Sequence, residues 1–319
     1  MRIPSDVRRQ PDTIARRSGT GLAALLVVAL SAADVAAQSP VQVVTTTEDL
    51  ASLTREIGGE AVSVEAIARG YQDPHFVEAK PSFVFKLNSA QLLVVVGREL
   101  EMGWLPPLIT QSRNSKLQPG GAGYLDASQT ARILDIPTGQ ITRAMGDVHP
   151  SGNPHYWLDP SNGRRIGKAV QDALTSLSGG DAAYFAQRYA DFDRRLAAAE
   201  SRWRSTLAPY KGTKVVTYHR SWSNFAEAFG LDVIGYVEPK PGVPPSPSHT
   251  FELINLMKAQ KVKAILVEPY FDLKTPKSIA ERTGANLLVM YPSVGARPEL
   301  DDYFKLFDRN ITELVKALR

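Results

Sequence analysis

Seven short runs of apolar, largely β-branched residues punctuate the chain, each closed by turn-forming residues: VQVVTTT (41–47), AVSVEAIA (61–68), QLLVVVG (91–97), KVVTYH (214–219), DVIGYVE (232–238), KAILVEP (263–269) and NLLVMYP (286–292). Each is predicted to be a strand. Their hydrophobicity is continuous rather than alternating, which suits strands covered on both faces, as in a parallel sheet flanked by helices. Stretches with apolar residues three and four apart lie between them. Thr47 is placed to cap a helix running through Leu50, Leu53 and Ile57 until Gly58 and Gly59 end it. Near the C-terminus, Thr275 as N-cap, Pro276 at the first helical position and Gly284 as terminator delimit another. Strands alternating with helices predict an α/β protein.

Between the two groups of strands, Asp181 to Leu207 contains no proline and places Phe185, Tyr189, Phe192, Leu196, Ala199, Trp203 and Leu207 on one helical face. At 1.5 Å per residue such a helix is about 40 Å long, enough to join two lobes rigidly. The predicted organisation is therefore two α/β lobes with mostly parallel sheets, 38–160 and 209–319, joined by connecting helices over 161–208 that include the long one. The stretch PKPGVPPSPSH (239–249) holds too many prolines for a helix or a central strand and is expected to be a loop.

The first 37 residues carry a different pattern. Arg8, Arg9, Arg16 and Arg17 precede the apolar run GLAALLVVAL, which is followed by small residues ending in Val35-Ala36-Ala37. This is the pattern of a cleavable secretory signal peptide, with cleavage expected after Ala37, and the run is short of the roughly 20 residues of a membrane span. Residues 1–37 hold five of the 37 basic and three of the 33 acidic residues, so the remainder carries a net charge of only +2. Without a basic block interleaved with aromatics, nucleic acid is not an expected partner. The chain has no cysteine, which leaves no disulfide framework, no thiolate metal site and no lipidated cysteine. The expected product is a free periplasmic protein, with a monomer the natural form for a carrier.

Candidate chemistry rests on five histidines. His75 lies in YQDPHF, His149 and His155 in GDVHPSGNPHYWLDP, His219 at the end of KVVTYH and His249 in the proline-rich stretch. His75, His155 and His219 each stand where a strand or proline-fixed turn hands over to a helix, and His219 must sit at a strand's carboxyl end, where doubly wound sheets bind ligands. Neutral imidazole is a strong zinc ligand, and three imidazoles with one carboxylate make a common tetrahedral set. Proline before His75 and before His155 restricts both rings in advance. Taken singly, each histidine reads more readily as a turn residue bonded to backbone than as a ligand. His149 reads as a solvated loop residue. Trp104 and Tyr156-Trp157 read as packing that holds loops rigid.

The surrounding segments extend this reading. DPHFVEAKPS resembles DPHxYEPxPS, NPHYWLDP resembles DPHxWLDP, and TYHRSWSNFAEAFGL resembles HxAFxYFAxAYGL, three motifs of the metal-binding proteins of ABC importers in the zinc and manganese class. The resemblance runs from VVTTTEDLASLTREIGGEAVSV to the terminal YFKLFDRNITELVKAL. It implies two α/β lobes joined by a rigid helix, a metal ion held between them by His75, His155 and His219, and delivery to an inner-membrane ABC permease, with a periplasmic metallochaperone as a candidate donor. A histidine at the third position goes with Zn2+ more often than with Mn2+. Where the family supplies an aspartate as fourth ligand in a segment like LDPLG, this chain reads MYPSVG (290–295). Glu268, at the end of KAILVEP, is the expected substitute, with Glu238, His249 or water as further candidates. The competing class is a secreted zinc-dependent hydrolase using the open coordination position for water, although no HExxH arrangement occurs.

Overall fold

The long amphipathic stretch and the strands on either side of it assemble around a shared interior. In the computed structural model, residues 39–139, 142, 146 and 148–319 are described, and Ser39–Arg319 form one compact unit. The predicted signal segment lies outside the described residues. The strands are β1 (Val41–Thr45), β2 (Val62–Ala66), β3 (Leu92–Val95), β4 (Tyr124–Asp126), β5 (Lys214–Thr217), β6 (Asp232–Tyr236), β7 (Ala264–Val267) and β8 (Asn286–Val289). Two four-stranded sheets result, ordered β2-β1-β3-β4 and β6-β5-β7-β8, and every strand pair is parallel. The two lobes thus share one winding pattern.

Continuous hydrophobicity marks the central strands. All of β3 and β7 is buried, whereas β2 at an edge alternates, exposing Ser63 and Glu65. β4 escaped the sequence reading because three residues between Gly123 and Ala127 are too few to form a pattern.

The helices are α1 (Glu48–Gly58), α2 (Pro81–Ser89), α3 (Leu105–Ser112), α4 (Pro160–Leu177), α5 (Ala182–Leu207), α6 (Ser223–Phe229), α7 (Pro247–Gln260), α8 (Lys274–Thr283) and α9 (Tyr303–Leu318). The Thr47 hydroxyl accepts from the Leu50 N–H at the start of α1, and Gly59 with φ 52° follows its end. Two expectations are corrected. Helix α8 starts at Lys274 rather than after Thr275, because the Asp272 carboxylate accepts from the Lys274 N–H and opens the turn earlier. His249 lies inside α7 rather than in a loop: Pro247 occupies the first turn, where its missing N–H costs nothing, and the Ser246 hydroxyl accepts from the His249 N–H.

Helix α5 buries Phe185, Phe192, Leu196, Ala199, Trp203 and Leu207, while Tyr189 is half-buried. The core it enters is continuous, uniting Val43 and Val94 of the first sheet with Val215 and Leu266 of the second. Trp203 stacks on Phe307 of α9 with centroids 4.8 Å apart, and its indole N–H donates to Asp308 at 2.6 Å. Burying each large apolar side chain stabilises the fold by about 1.5–3 kcal/mol, so this core binds both lobes to the connector.

Direct bonds also cross from lobe to lobe. Asp49 of α1 accepts from Ser293 Oγ at 2.8 Å and from the Val294 N–H at 2.9 Å, and the Trp157 indole donates to Pro292 O at 2.8 Å. At Gly70 the backbones meet: a Cβ there would stand 1.8 Å from Val294 O, so only glycine allows the approach.

Candidate metal centre

His75 sits in the loop after β2, on a turn built by its own neighbours. The Asp73 carboxylate accepts from the His75 backbone N–H at 3.0 Å and meets ring Nδ1 at 2.7 Å, while the buried Trp104 indole donates to Pro74 O at 2.9 Å and pins the loop. His155 repeats the device. Asn153 Oδ1 lies 2.9 Å from the His155 backbone N and 3.0 Å from its Nδ1. His219 follows β5 and is held differently, its Nδ1 2.9 Å from Glu238 Oε2 at the end of neighbouring β6. Asp73 and Asn153 were overlooked as ring holders, although the DPH and NPH triplets contain them.

These contacts fix the tautomers. Asp73 and Glu238 can only accept when ionised, and Asn153 uses its amide N–H groups toward Asp135 and the Arg220 carbonyl, so its Oδ1 must accept as well. In its neutral form each ring therefore carries its proton on Nδ1 and presents a lone pair at Nε2. The three rings form a near-equilateral triangle, with centroids 5.1, 5.3 and 5.4 Å apart, and one donor atom from each falls within 4.8 Å of the others. His155 Nε2 is buried and has no hydrogen-bond partner among the described residues.

The electrostatics match a site that takes a cation. Burial, then the neighbouring histidines, holds His155 well below the usual imidazole range, keeping it neutral. Burial alone would depress His219 too, but the Glu238 bond and the charges of Glu268, Glu238 and Asp73 outweigh it and raise its pKa. For Asp73, burial raises the pKa, yet the hydrogen bond and charge of His75 prevail and it ends below the usual carboxylate range.

Glu268 is where its strand leads, directly after β7, and is completely buried. It does not join the 4.8 Å group of donors. Neither of its oxygens receives a hydrogen bond of ordinary geometry among the described residues, and burial pushes its pKa up to about 7 against the opposing influence of His219 and the nearby Ser221 hydroxyl. It stands near the centre as a buried acid. His249 is elsewhere, donating from its ring to Tyr236 O at 2.9 Å. His149 departs from the solvated role expected of it: it is half-buried, with Nε2 3.2 Å from His75 Nε2. Beside the triangle lies a cavity of about 350 Å³ bordered by His149, Asn153, His155, His219 and Arg220.

Comparison with known proteins places this arrangement. The profile of the family described as the periplasmic component A of the zinc-uptake complex, ZnuA, matches residues 43–317. The zinc-binding lipoprotein AdcA of Streptococcus pneumoniae is 22% identical over 302 residues, covering 92% of this chain but only 58% of AdcA. The manganese ABC transporter substrate-binding lipoprotein PsaA of Streptococcus anginosus is 22% identical over 303 residues, covering 92% of this chain and 94% of PsaA. A crystal structure of ZnuA superposes with a TM-score of 0.74 at 22% identity, covering 88% of this chain and all of that one.

Proposed function

The chain belongs to the family of the periplasmic component A of zinc-uptake complexes, and on that premise we propose that it captures Zn2+ on His75, His155 and His219 and hands it to the membrane permease of an ABC importer. The family consists of solute-binding proteins, not enzymes, so the hydrolase alternative falls away. No described helix is long and apolar enough to cross a membrane. The proposed place of action is the periplasm, in keeping with the family description.

One observation carries the reading: three imidazoles, each with its Nδ1 engaged by a fixed partner, converge from both lobes. Nitrogen donors favour zinc over manganese on softness and on the general order of divalent affinities. The relatives are named for both metals, so the choice of zinc rests on this donor set. Glu268 supports it through charge. A buried carboxylate without hydrogen bonds of ordinary geometry is costly in the metal-free protein and favourable once a dication is close.

The test is titration of the chelator-stripped protein with zinc and with manganese, alongside His219→Ala. One tight zinc equivalent, weaker manganese binding and loss of most zinc affinity in the variant are expected. Binding of neither metal would sink the capture reading, and tighter manganese than zinc would sink the assignment of the cargo.

A further inference from the structure

Asn153 is buried beside the centre, and its side chain makes contacts in both lobes. Its Oδ1 accepts from the His155 backbone N–H at 2.9 Å and from the ring Nδ1 at 3.0 Å. Its Nδ2 donates to Asp135 Oδ2 at 3.0 Å in the first lobe and to the Arg220 carbonyl at 2.7 Å in the second, with Ser223 Oγ at 3.4 Å. An asparagine side chain offers two hydrogens and two lone pairs, and here all four are used. The partners also fix which end is which. The His155 backbone N–H can only donate and the Arg220 carbonyl can only accept, so the oxygen faces the ring and the nitrogen faces the other lobe.

One side chain thus joins two of the three histidines. Arg220 follows His219 directly, and the Thr217 hydroxyl donates to the His219 carbonyl at 2.6 Å, so the peptide after the third ring is held on one side by its own strand and on the other by Asn153. Asn153 is itself anchored, its backbone N–H donating to Leu134 O at 2.8 Å. Its partner Asp135 has a left-handed backbone, φ 50°, which persists in a residue with a side chain where the surroundings hold it. The segment NPHYWLDP departs at this position from the pattern DPHxWLDP that it resembles. An aspartate would orient the His155 ring equally well, since it too accepts from both nitrogens, but it has no hydrogen for Asp135 or for the Arg220 carbonyl. Ring orientation therefore does not explain the asparagine, whereas the contacts behind it do.

We infer that Asn153 is a positioning residue that locks the lobes together at the metal centre: its amide holds the peptide after His219 against the loop of His155 before an ion arrives, and that bond opens when the ion leaves. This rests on the capture reading and adds to it the control of release. Preorganised ligands lose less freedom on binding, and the gain shows mainly as slower dissociation.

The experiment compares the wild-type protein with Asn153→Asp and with Asn153→Asp combined with Asp135→Asn. Zinc release is timed by rapid mixing of the zinc-loaded protein with excess chromophoric chelator, and imidazole ligands are counted by X-ray absorption at the zinc edge. Asn153→Asp keeps the acceptor for His155 and turns a carboxylate oxygen, in place of the donor, toward Asp135 and the Arg220 carbonyl. Two influences then oppose each other. A carboxylate bonded to the ring makes His155 a stronger donor and slows release, whereas loss of the bond across the lobes speeds it. The inference requires the second to win: release faster by at least about tenfold, as buried acceptors lose their donor, with three imidazoles still around zinc. The added Asp135→Asn supplies an amide hydrogen to the new carboxylate and should recover at least about threefold of that change, while the Arg220 carbonyl stays without its donor. Should Asn153→Asp alone misfold, the paired variant carries the test, since it should still release zinc faster than wild type. Release from Asn153→Asp as slow as from wild type, no recovery in the pair, or two imidazoles in place of three would overturn the inference. If wild type binds zinc and Asn153→Asp releases it no faster, only this inference fails; if the wild type takes up no zinc, the capture reading fails with it.

Discussion

The two lobes share a strand order but hold their histidines by different means. In the N-terminal lobe each ring is oriented by the residue two positions before it, Asp73 for His75 and Asn153 for His155, with a proline between. In the C-terminal lobe the ring of His219 is held by Glu238, 19 residues away at the end of the next strand, and faces the electrostatic influence of Glu268 from a third. Local wiring survives as a motif in the chain. Long-range wiring is correct only when the sheet is, and it brings buried acids with it. The first lobe contributes locally preformed donors, and the second contributes negative charge that draws a cation inward.

The largest effect should come from the core that unites the lobes. Phe192→Ala is expected to destabilise the protein by about 3–5 kcal/mol while preserving one cooperative transition in chemical denaturation. Two resolved transitions would mean that the lobes unfold independently.

Asp49 should come next. Burial raises its pKa to about 7 from 3.8, despite the bonds from Val294 and Ser293 that oppose the rise. Between those values the folded protein keeps a proton that the unfolded chain has lost, so this group's contribution to stability declines as pH rises from about 4 to about 7. At about 1.4 kcal/mol per pH unit, the stability difference between wild type and Asp49→Asn should shift in favour of the variant by about 2–3 kcal/mol between pH 5 and pH 7. Parallel pH profiles would show that Asp49 stays ionised in the fold.

Removing the ring holders sharpens the contrast between local and long-range wiring. Asn153→Ala and Glu238→Ala should each weaken zinc binding by about 10–100-fold, as supporting residues of metal sites do. Glu238→Gln should recover much of the loss if ring orientation matters most, and little if charge does. The smallest effect expected is that of Glu268→Gln on folding: thermal stability unchanged or slightly higher, because a buried carboxylate without hydrogen bonds of ordinary geometry is removed, with zinc affinity reduced several-fold. A clear loss of stability would mean that Glu268 has partners in the metal-free fold.

What could be read from the chain follows the same division. The central strands announced themselves because burial on both faces leaves unbroken apolar runs, and α5 because a 26-residue helix repeats its pattern many times. The DPH and NPH triplets carried both the candidate ligand and its orienting group. β4 was too short to read. The starts of α7 and α8 turned on single capping contacts, from Ser246 and Asp272, that outcompeted a proline-rich appearance and a plausible Thr-Pro start. The assignment of Glu268 as a ligand followed strand direction, which gives the end of the sheet but not how far a side chain reaches toward three particular nitrogens. His149 could not be placed, because the Nε2 contact that defines it joins residues 74 positions apart.

The contact at Gly70 has a genetic consequence. The loop that carries His75 begins where Gly70 lies against the Val294 carbonyl of the other lobe, with no room for a Cβ. Every missense change that a single base can make in a glycine codon adds that carbon. Selection for loss of metal uptake should therefore recover alleles at Gly70 that leave His75, His155 and His219 intact, in protein that is still made.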